Sequence, residues 1–377
     1  MSKLHFVTAG ESHGPCLTAI VEGLPAGLEV DVSTIDHQLR RRQGGYGRGG
    51  RMKIERDRVQ VLGGVIYGRT TGAPVSLRVD NRDWANWETR WAEGLPPLTI
   101  PRPGHADYAG MVKYGLDDAR PVLERASARE TAVRVAAGAL ARLVLAQFGI
   151  SVGSYVTEIG GVIAELPLLP LAELWQRAER SDVRCPSPEA TERMHEAIDL
   201  ARQEGNSLGG CFVVGATGVP VGLGSHVHWE RRLDARLAAA VMSIQAIKGV
   251  EVGDAFDNAR RRGTEVHDAF VPAAGGRGEA RGVTRPTNRA GGIEGGTSNG
   301  QPILLRAAMK PIPTTLAPQR SVDLSTGERA DTQYQRSDGC AVPAASVVGE
   351  AMVAWVLADA LLEKLGGDSM DEIRGRM

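Results

Sequence analysis

The chain has 377 residues, 44 basic against 45 acidic side chains, a formal net charge of −1 and 42% hydrophobic residues. This is the composition of a globular protein of one large or two ordinary domains. A sequence pI of about 6.7 argues against a general nucleic-acid binder. No uninterrupted apolar run approaches the ~18–20 residues of a membrane span. The best candidates are broken by Arg142 and Asp359, and the N-terminal MSKLHFVTAGESHG lacks a signal peptide's apolar core.

Short alternating segments predict strands at LTAIVEGL (17–24), VQVLGGVIYG (59–68), APVSLRVD (73–80), CFVVGATGVPVGLG (211–224) and QPILLRAAMK (301–310). Helical patterns run from Ser127 to about Phe148, from Arg231 to Lys248 and from Ala344 to Leu365, where Gly366 is a stop signal. Residues 166–205 predict one or two more helices on a polar excursion. Strands and helices are mixed without the alternation of a doubly wound sheet. The fold predicted is α+β, layered, with helices buried by alanine-rich faces.

The four cysteines (Cys16, Cys185, Cys211, Cys340) are far apart and form no CxxC pair. Neither a disulfide framework nor a zinc site is indicated, and a reducing, cytosolic setting fits. His226 and His228 alternate on a predicted strand, but with no third ligand at suitable spacing they do not make a metal site. Trp84, Trp87 and Trp91 read as loop packing.

The densest chemistry lies at 40–58, RRRQGGYGRGGRMKIERDR. It holds Arg40, Arg41, Arg42, Arg48, Arg51, Arg56 and Arg58, with five glycines between Gly44 and Gly50. In a nearly neutral protein this is a local anion trap. Arginine's planar fork matches carboxylate and phosphate in bidentate fashion, and glycine lets the backbone come close to a ligand. A glycine-arginine RNA-binding tail is the alternative, but such tails are long and repetitive, and this segment runs directly into strand-like sequence. Ordering nine such residues costs on the order of 10 kcal/mol. The loop at 43–51 is therefore expected to be mobile until anionic ligands close it.

Other motifs carry titratable or anion-binding groups. Gly10-Glu11-Ser12-His13-Gly14 presents a histidine suited to acid–base work, and it is not a nucleophile elbow because the serine is one position out. Arg102-Pro103-Gly104-His105-Ala106-Asp107 places an arginine and a histidine three apart. In Glu124-Arg125-Ala126-Ser127-Ala128-Arg129-Glu130-Thr131, Ser127 and Glu130 are spaced as a capping box, and a helix start flanked by arginines is also an anion site. Gly291 to Gly300 (GGIEGGTSNG) lacks the P-loop lysine and the dinucleotide fingerprint. The prolines of Lys310-Pro311-Ile312-Pro313-Thr314-Thr315 force a stiff, extended backbone suited to a flat ligand. Arg336-Ser337-Asp338-Gly339-Cys340 opens the last helix. An NADPH-dependent oxidoreductase would also use clustered arginines, but no Rossmann fingerprint is present.

In this order, GESHGP, RRRQGGYGRGGRM, RPGHAD, ERASARET, GGIEGGTSNGQP, MKPIPTT and RSDGCAVPA resemble the motifs of the chorismate synthase family, from about residue 4 to residue 365 of one large domain spanning 1–377. The resemblance implies a β-α-β sandwich, a cytoplasmic homotetramer, and no nucleic-acid or membrane partner. It implies an anti-1,4-elimination of phosphate from 5-enolpyruvylshikimate 3-phosphate to give chorismate. Reduced FMN is required without net redox change, and NADPH is the flavin reductant in some members. By similarity, Arg42, Arg48, Arg51, Arg102 and Arg129 hold the substrate's anionic groups. His13 protonates the leaving phosphate, and His105 sits by the flavin's pyrimidine edge. Asp338 and Ser127, with Ser12 a lesser candidate, help move the proton taken from carbon 6. FMN falls on Arg125, Ala126, Ser127, Gln245, Ala246, Gly295, Lys310, Pro311, Ile312, Pro313, Thr314 and Arg336. In a bifunctional member Arg42 and Arg48 also meet NADP. No metal is implied. Ala126 departs from the serine of many relatives, which removes a hydroxyl contact there.

Overall fold

The computed structural model describes residues 4–49, 56–273, 282–333 and 337–376. Two antiparallel sheets face each other across a layer of helices. The first holds β1 (His5–Ala9), β2 (Cys16–Glu22), β3 (Val59–Gly63) and β4 (Val75–Asp80) in the order β1-β2-β4-β3. Alternation sets its faces: Leu17, Ala19 and Val21 of β2 and Val75, Leu77 and Val79 of β4 are buried on the helix side.

The second sheet holds β5 (Ser151–Ile159), β6 (Val162–Ile163), β7 (Gly210–Thr217), β8 (Ile247–Val252) and β9 (Ile303–Met309) in the order β8-β9-β7-β5-β6. Along β9, Ile303, Leu305, Ala307 and Met309 are buried, while Arg306 faces outward to pair with Glu251 at 2.6 Å.

Eight helices matter for the site: α1 (Val32–Gln43), α2 (Asp107–Tyr114), α3 (Arg120–Ala126), α4 (Thr131–Ala146), α5 (Leu171–Arg180), α6 (Pro188–Gln203), α7 (Leu233–Met242) and α8 (Val342–Leu365). Helix α4 packs on the first sheet and α8 on the second, and the two helices pack on each other. The result is the predicted β-α-β sandwich. Small residues permit the close approach. A Cβ added at Gly138 of α4 would lie 2.5 Å from the Ala351 Cβ of α8. One buried cluster runs from Leu4 to Ile373 and takes in both sheets and the helices between.

Helix α8 is buried from Val342 to Leu362. By length and composition it is apolar enough to cross a bilayer, with a window of mean hydropathy 1.7 that lies wholly inside the fold. The sequence reading discounted it because of Asp359. That carboxylate and Glu350 are tolerated because each is paired. Asp359 accepts from the Leu4 N–H at 2.8 Å and pairs with Arg236. Glu350 meets Arg41, Arg142 and Arg184 at 2.7, 3.0 and 2.9 Å. Burial pushes its carboxyl pKa up, but Arg41, Arg184 and Arg142 outweigh burial and bring it to about 2.

Several local expectations need correction. The helix expected from Ser127 begins at Thr131, after a 3₁₀ turn at Ala128–Glu130. The Ser127 hydroxyl accepts from the Arg129 N–H at 3.3 Å. The Glu130 carboxylate, however, does not complete a capping box; it accepts from Thr8, Arg134 and Gln245 at 2.7, 2.7 and 3.2 Å. The helix expected to reach Lys248 ends at Met242, because residues 247–252 pair as strand β8 and Ala246 takes a left-handed φ of 67°. His226 and His228 lie in a loop rather than on a strand.

Candidate active site

Loops from one end of both sheets converge on a cavity of about 740 Å³, well within the range for a small-molecule site. The β1–β2 loop brings Ser12 and His13. The end of α1 brings Arg42, and the loop after it Arg48. The turn before α2 brings Arg102 and His105. The end of α3 brings Ala126 and Ser127, with Arg129 in the 3₁₀ turn. Gln245 and Ala246 follow α7, Lys310, Ile312, Pro313 and Thr314 follow β9, and Asp338 precedes α8.

The structure therefore gathers most of the residues singled out in the sequence. Pro311 lies between two wall residues without lining the cavity, and Arg125 and Gly295 do not line it either. Arg125 instead donates to the Thr8 carbonyl and hydroxyl at 2.9 and 2.6 Å. Gly295 belongs to the tight hairpin Ile293–Ser298. Arg51 and Arg336 lie outside the described residues, as do positions 50–55 of the arginine-glycine segment.

The described part of that loop is docked. Tyr46 N–H donates to the Asp182 carbonyl at 2.9 Å and its hydroxyl to Asp199 at 2.9 Å. The Gly47 carbonyl accepts from Gly339 N–H at 2.9 Å. Gly49 N–H donates to Asp338 at 2.6 Å, and Arg48 pairs with the same carboxylate at 3.2 Å. Side chains would block this packing: a Cβ at Gly49 would lie 2.7 Å from the Ser337 carbonyl oxygen. The segment from Gly44 to Gly49 is thus held by contacts to Asp182, Asp199, Gly339 and Asp338.

The wall is rich in fixed positive charge. Arg42 and Arg129 are buried and share Asp57. Arg129 donates to both Asp57 oxygens at 2.7 Å and to Asn81 at 2.9 Å. Arg42 Nε donates to Thr131 at 3.0 Å, and its Nη1 lies 3.6 Å from Asp57 and has no hydrogen-bond acceptor among the described residues. Burial lowers the Arg42 pKa to about 10, and Arg129 and Arg48 add to the lowering while Asp57 opposes it. A bound anion would relieve that destabilised charge.

Arg102 is clamped by Asp107 through Nε at 2.8 Å and Nη2 at 3.0 Å, and its Nη1 donates to Thr314 at 2.9 Å. His105 Nδ1 lies 2.5 Å from the same Asp107. Burial raises the Asp107 pKa, but hydrogen bonds from His105 and Arg102 outweigh it and hold the carboxyl well below the usual range. On the other side, His13 meets the buried Glu124 at 2.9 Å and packs against Trp87, ring centroids 4.2 Å apart. The Ser127 hydroxyl donates to that of Ser12 at 3.0 Å.

A flat, anionic cofactor fits these walls. Gln245 Oε1 is buried and has no hydrogen-bond partner among the described residues. The neighbouring Ala246 carbonyl accepts from Lys310 N–H at 2.9 Å, which joins the two segments into one edge. Lys310 Nζ donates to the Gly104 carbonyl at 2.9 Å across the cavity rim, and burial lowers its pKa.

Sequence reasoning missed Asp57, Trp87, Asp107 and Glu124 as site residues. Asp107 stood in one quoted motif with its partners Arg102 and His105, whereas Glu124 meets His13 only when the chain closes. Trp87 was read as loop packing, and it lines the cavity as well as packing.

The family model for chorismate synthase matches residues 4–362. A chorismate synthase from Chlorobaculum tepidum is 56% identical over 99% of this chain and 96% of the relative. One from Rubrobacter xylanophilus is 58% identical over 99% and 95%. A crystal structure of chorismate synthase superposes with a TM-score of 0.80 at 45% identity, covering 99% of this chain and 96% of that one.

Proposed function

The chain belongs to the chorismate synthase family, a carbon–oxygen lyase that makes chorismate in the last step of the shikimate pathway, and we propose that the arginine-lined cavity is where its reaction runs, over bound reduced FMN. The observation that carries the reading is convergence: Arg42, Arg48, Arg102, Arg129 and two carboxylate-paired histidines share one cavity with the edge formed by Lys310, Ile312, Pro313 and Thr314. The substrate is 5-enolpyruvylshikimate 3-phosphate, which carries two carboxylates and a phosphate.

Arg42, Arg48, Arg102 and Arg129 hold the substrate's anions, Arg42 through its under-used Nη1 and Arg102 from a guanidinium fixed by Asp107. Such preset donors need no reorganisation as charge develops on the leaving phosphate. His13 donates a proton to that phosphate from Nε2, since Nδ1 faces Glu124. Ser12 and Ser127, already hydrogen-bonded to each other, and Asp338 offer a route for the proton lost from carbon 6. Lys310 to Thr314, Gln245, Ala246 and the backbone at Ala126 hold the flavin, with His105 at its polar edge. Reduced FMN, when bound, supplies an electron-rich ring that assists elimination without net redox change. The family's use of reduced FMN supports this assignment.

A cytoplasmic homotetramer is part of the same proposal. The described cysteines are all free thiols. Val7 and Ile20, cross-strand partners on the outer face of the first sheet, are both exposed, 54% and 38%, as suits a face covered by another subunit. The direct test is chorismate formation under anaerobic conditions with photoreduced FMN, repeated with oxidised FMN plus NADPH. Chorismate in the first arm is expected. Chorismate in the second as well would assign flavin reduction to this chain, with Arg42 and Arg48 as the NADPH contacts. No chorismate in either arm would overturn the reading.

A further inference from the structure

Glu124, at the end of α3, is 2% exposed and has no surface role. Both of its carboxylate oxygens go to one residue. Oε2 accepts from the His13 N–H at 2.7 Å, and Oε1 lies 2.9 Å from His13 Nδ1. The Glu124 carbonyl also accepts from the Ser12 N–H at 3.3 Å. A carboxylate only accepts, so Nδ1 carries a proton in this contact. The ring plane is set separately, by Trp87 at a centroid distance of 4.2 Å and an interplanar angle of 36°. Trp87 in turn lies under the Arg90 guanidinium at 4.7 Å.

We propose that Glu124 is the positioning residue of His13: it fixes the ring as the Nδ1–H tautomer and leaves Nε2 as the only nitrogen offered to the cleft. The catalytic half of this proposal rests on the reading of His13 as proton donor. Nδ1 donates to Glu124 whether or not Nε2 is protonated, so the ring can give up and regain its Nε2 proton without turning. Glu124 does not line the cavity. It acts through His13, as an orienting carboxylate acts on a catalytic histidine elsewhere.

The experiment is ring 15N NMR on 15N-histidine-labelled protein, with the His13 signals identified by their loss in His13→Ala. The expected spectrum shows the neutral ring protonated at Nδ1 and bare at Nε2. In Glu124→Gln the backbone N–H keeps the amide oxygen and the amide NH₂ faces Nδ1, so the tautomer should switch to Nε2–H. In that variant kcat should fall roughly 10²–10⁴-fold, with the KM for substrate and FMN binding little changed. A merely structural role would not move the tautomer. A wild-type His13 protonated at Nε2 and bare at Nδ1 overturns the proposal, even if the variant fails to fold. Full kcat in a folded Glu124→Gln also overturns it. Full activity in His13→Ala with an Nδ1–H ring in the wild type would instead remove the proton-donor reading and the catalytic half with it.

Discussion

The Arg48 guanidinium and the Asp338 carboxylate lie 3.2 Å apart, joining the arginine-glycine loop to the start of the last helix. The same carboxylate accepts from Gly49 N–H at 2.6 Å. A residue assigned to proton movement therefore also anchors the loop that carries an anion-binding arginine. In the proposed mechanism, substrate contact and proton handling are coupled through this one carboxylate.

Arg48→Lys tests that coupling. Lysine keeps a charge near Asp338 but loses the planar fork. One charge-assisted hydrogen bond is worth about 1.5–3 kcal/mol, so substrate KM should rise roughly ten- to a hundred-fold while FMN affinity changes little. An unchanged KM would mean that Arg48 serves Asp338 alone.

The two histidines should be separable from stability. Their side chains are 20% and 16% exposed, at the cavity wall rather than in the core. His13→Ala and His105→Ala should each lower kcat by roughly 10²–10⁴-fold, with thermal melting followed by circular dichroism close to wild type. Wild-type turnover in either would remove that histidine from the mechanism.

The interior makes a different prediction at Gly138. Alanine has the better helix propensity by about 1 kcal/mol. Against that, the added Cβ would sit 2.7 Å from the Ala351 Cα, a backbone atom that cannot swing aside. Overpacking costs about 1–3 kcal/mol, so Gly138→Ala should lower the urea midpoint. A midpoint equal to or above wild type would show that the two helices are not in close contact.

Glu350 sets a pH dependence. Its carboxyl falls from an ordinary 4.5 to about 2 in the fold, which corresponds to on the order of 3 kcal/mol. Because the folded value is depressed, this stabilisation is present above pH about 4.5 and is lost as pH falls toward 2. Glu350→Gln should flatten the stability profile in that window. It should also cost roughly 3–5 kcal/mol at neutral pH, since the buried Arg41 and Arg184 would keep only the half-exposed Glu179 as a carboxylate partner. Identical profiles in urea unfolding across pH 2–5 would contradict the assignment.

The sandwich was legible because alternation in 17–24, 73–80 and 301–310 and the alanine-rich runs at 127–148 and 344–365 are strong local signals. Boundaries failed where tertiary pairing decided them. Residues 247 and 248 read as the tail of a helix until β9 offers them a partner, and Glu130 reads as a cap until Thr8, Arg134 and Gln245 reach it. The site behaved in the same way. His13, His105, Arg42 and Arg102 stand in recognisable motifs. Glu124 and Asp57 act through partners up to 111 residues away, a relation that local spacing does not encode. The anchors of the arginine-glycine loop, Asp182, Asp199 and Asp338, lie more than a hundred residues along the chain and leave no mark in its local sequence.

On the proposed function, this cavity eliminates phosphate over a flavin that is used but not consumed. The most direct measurement counts chorismate formed per reduced FMN under anaerobic conditions, with the flavin absorbance followed throughout. Many turnovers per flavin, with the flavin still reduced at the end, is the predicted result. One flavin oxidised for each chorismate would contradict it.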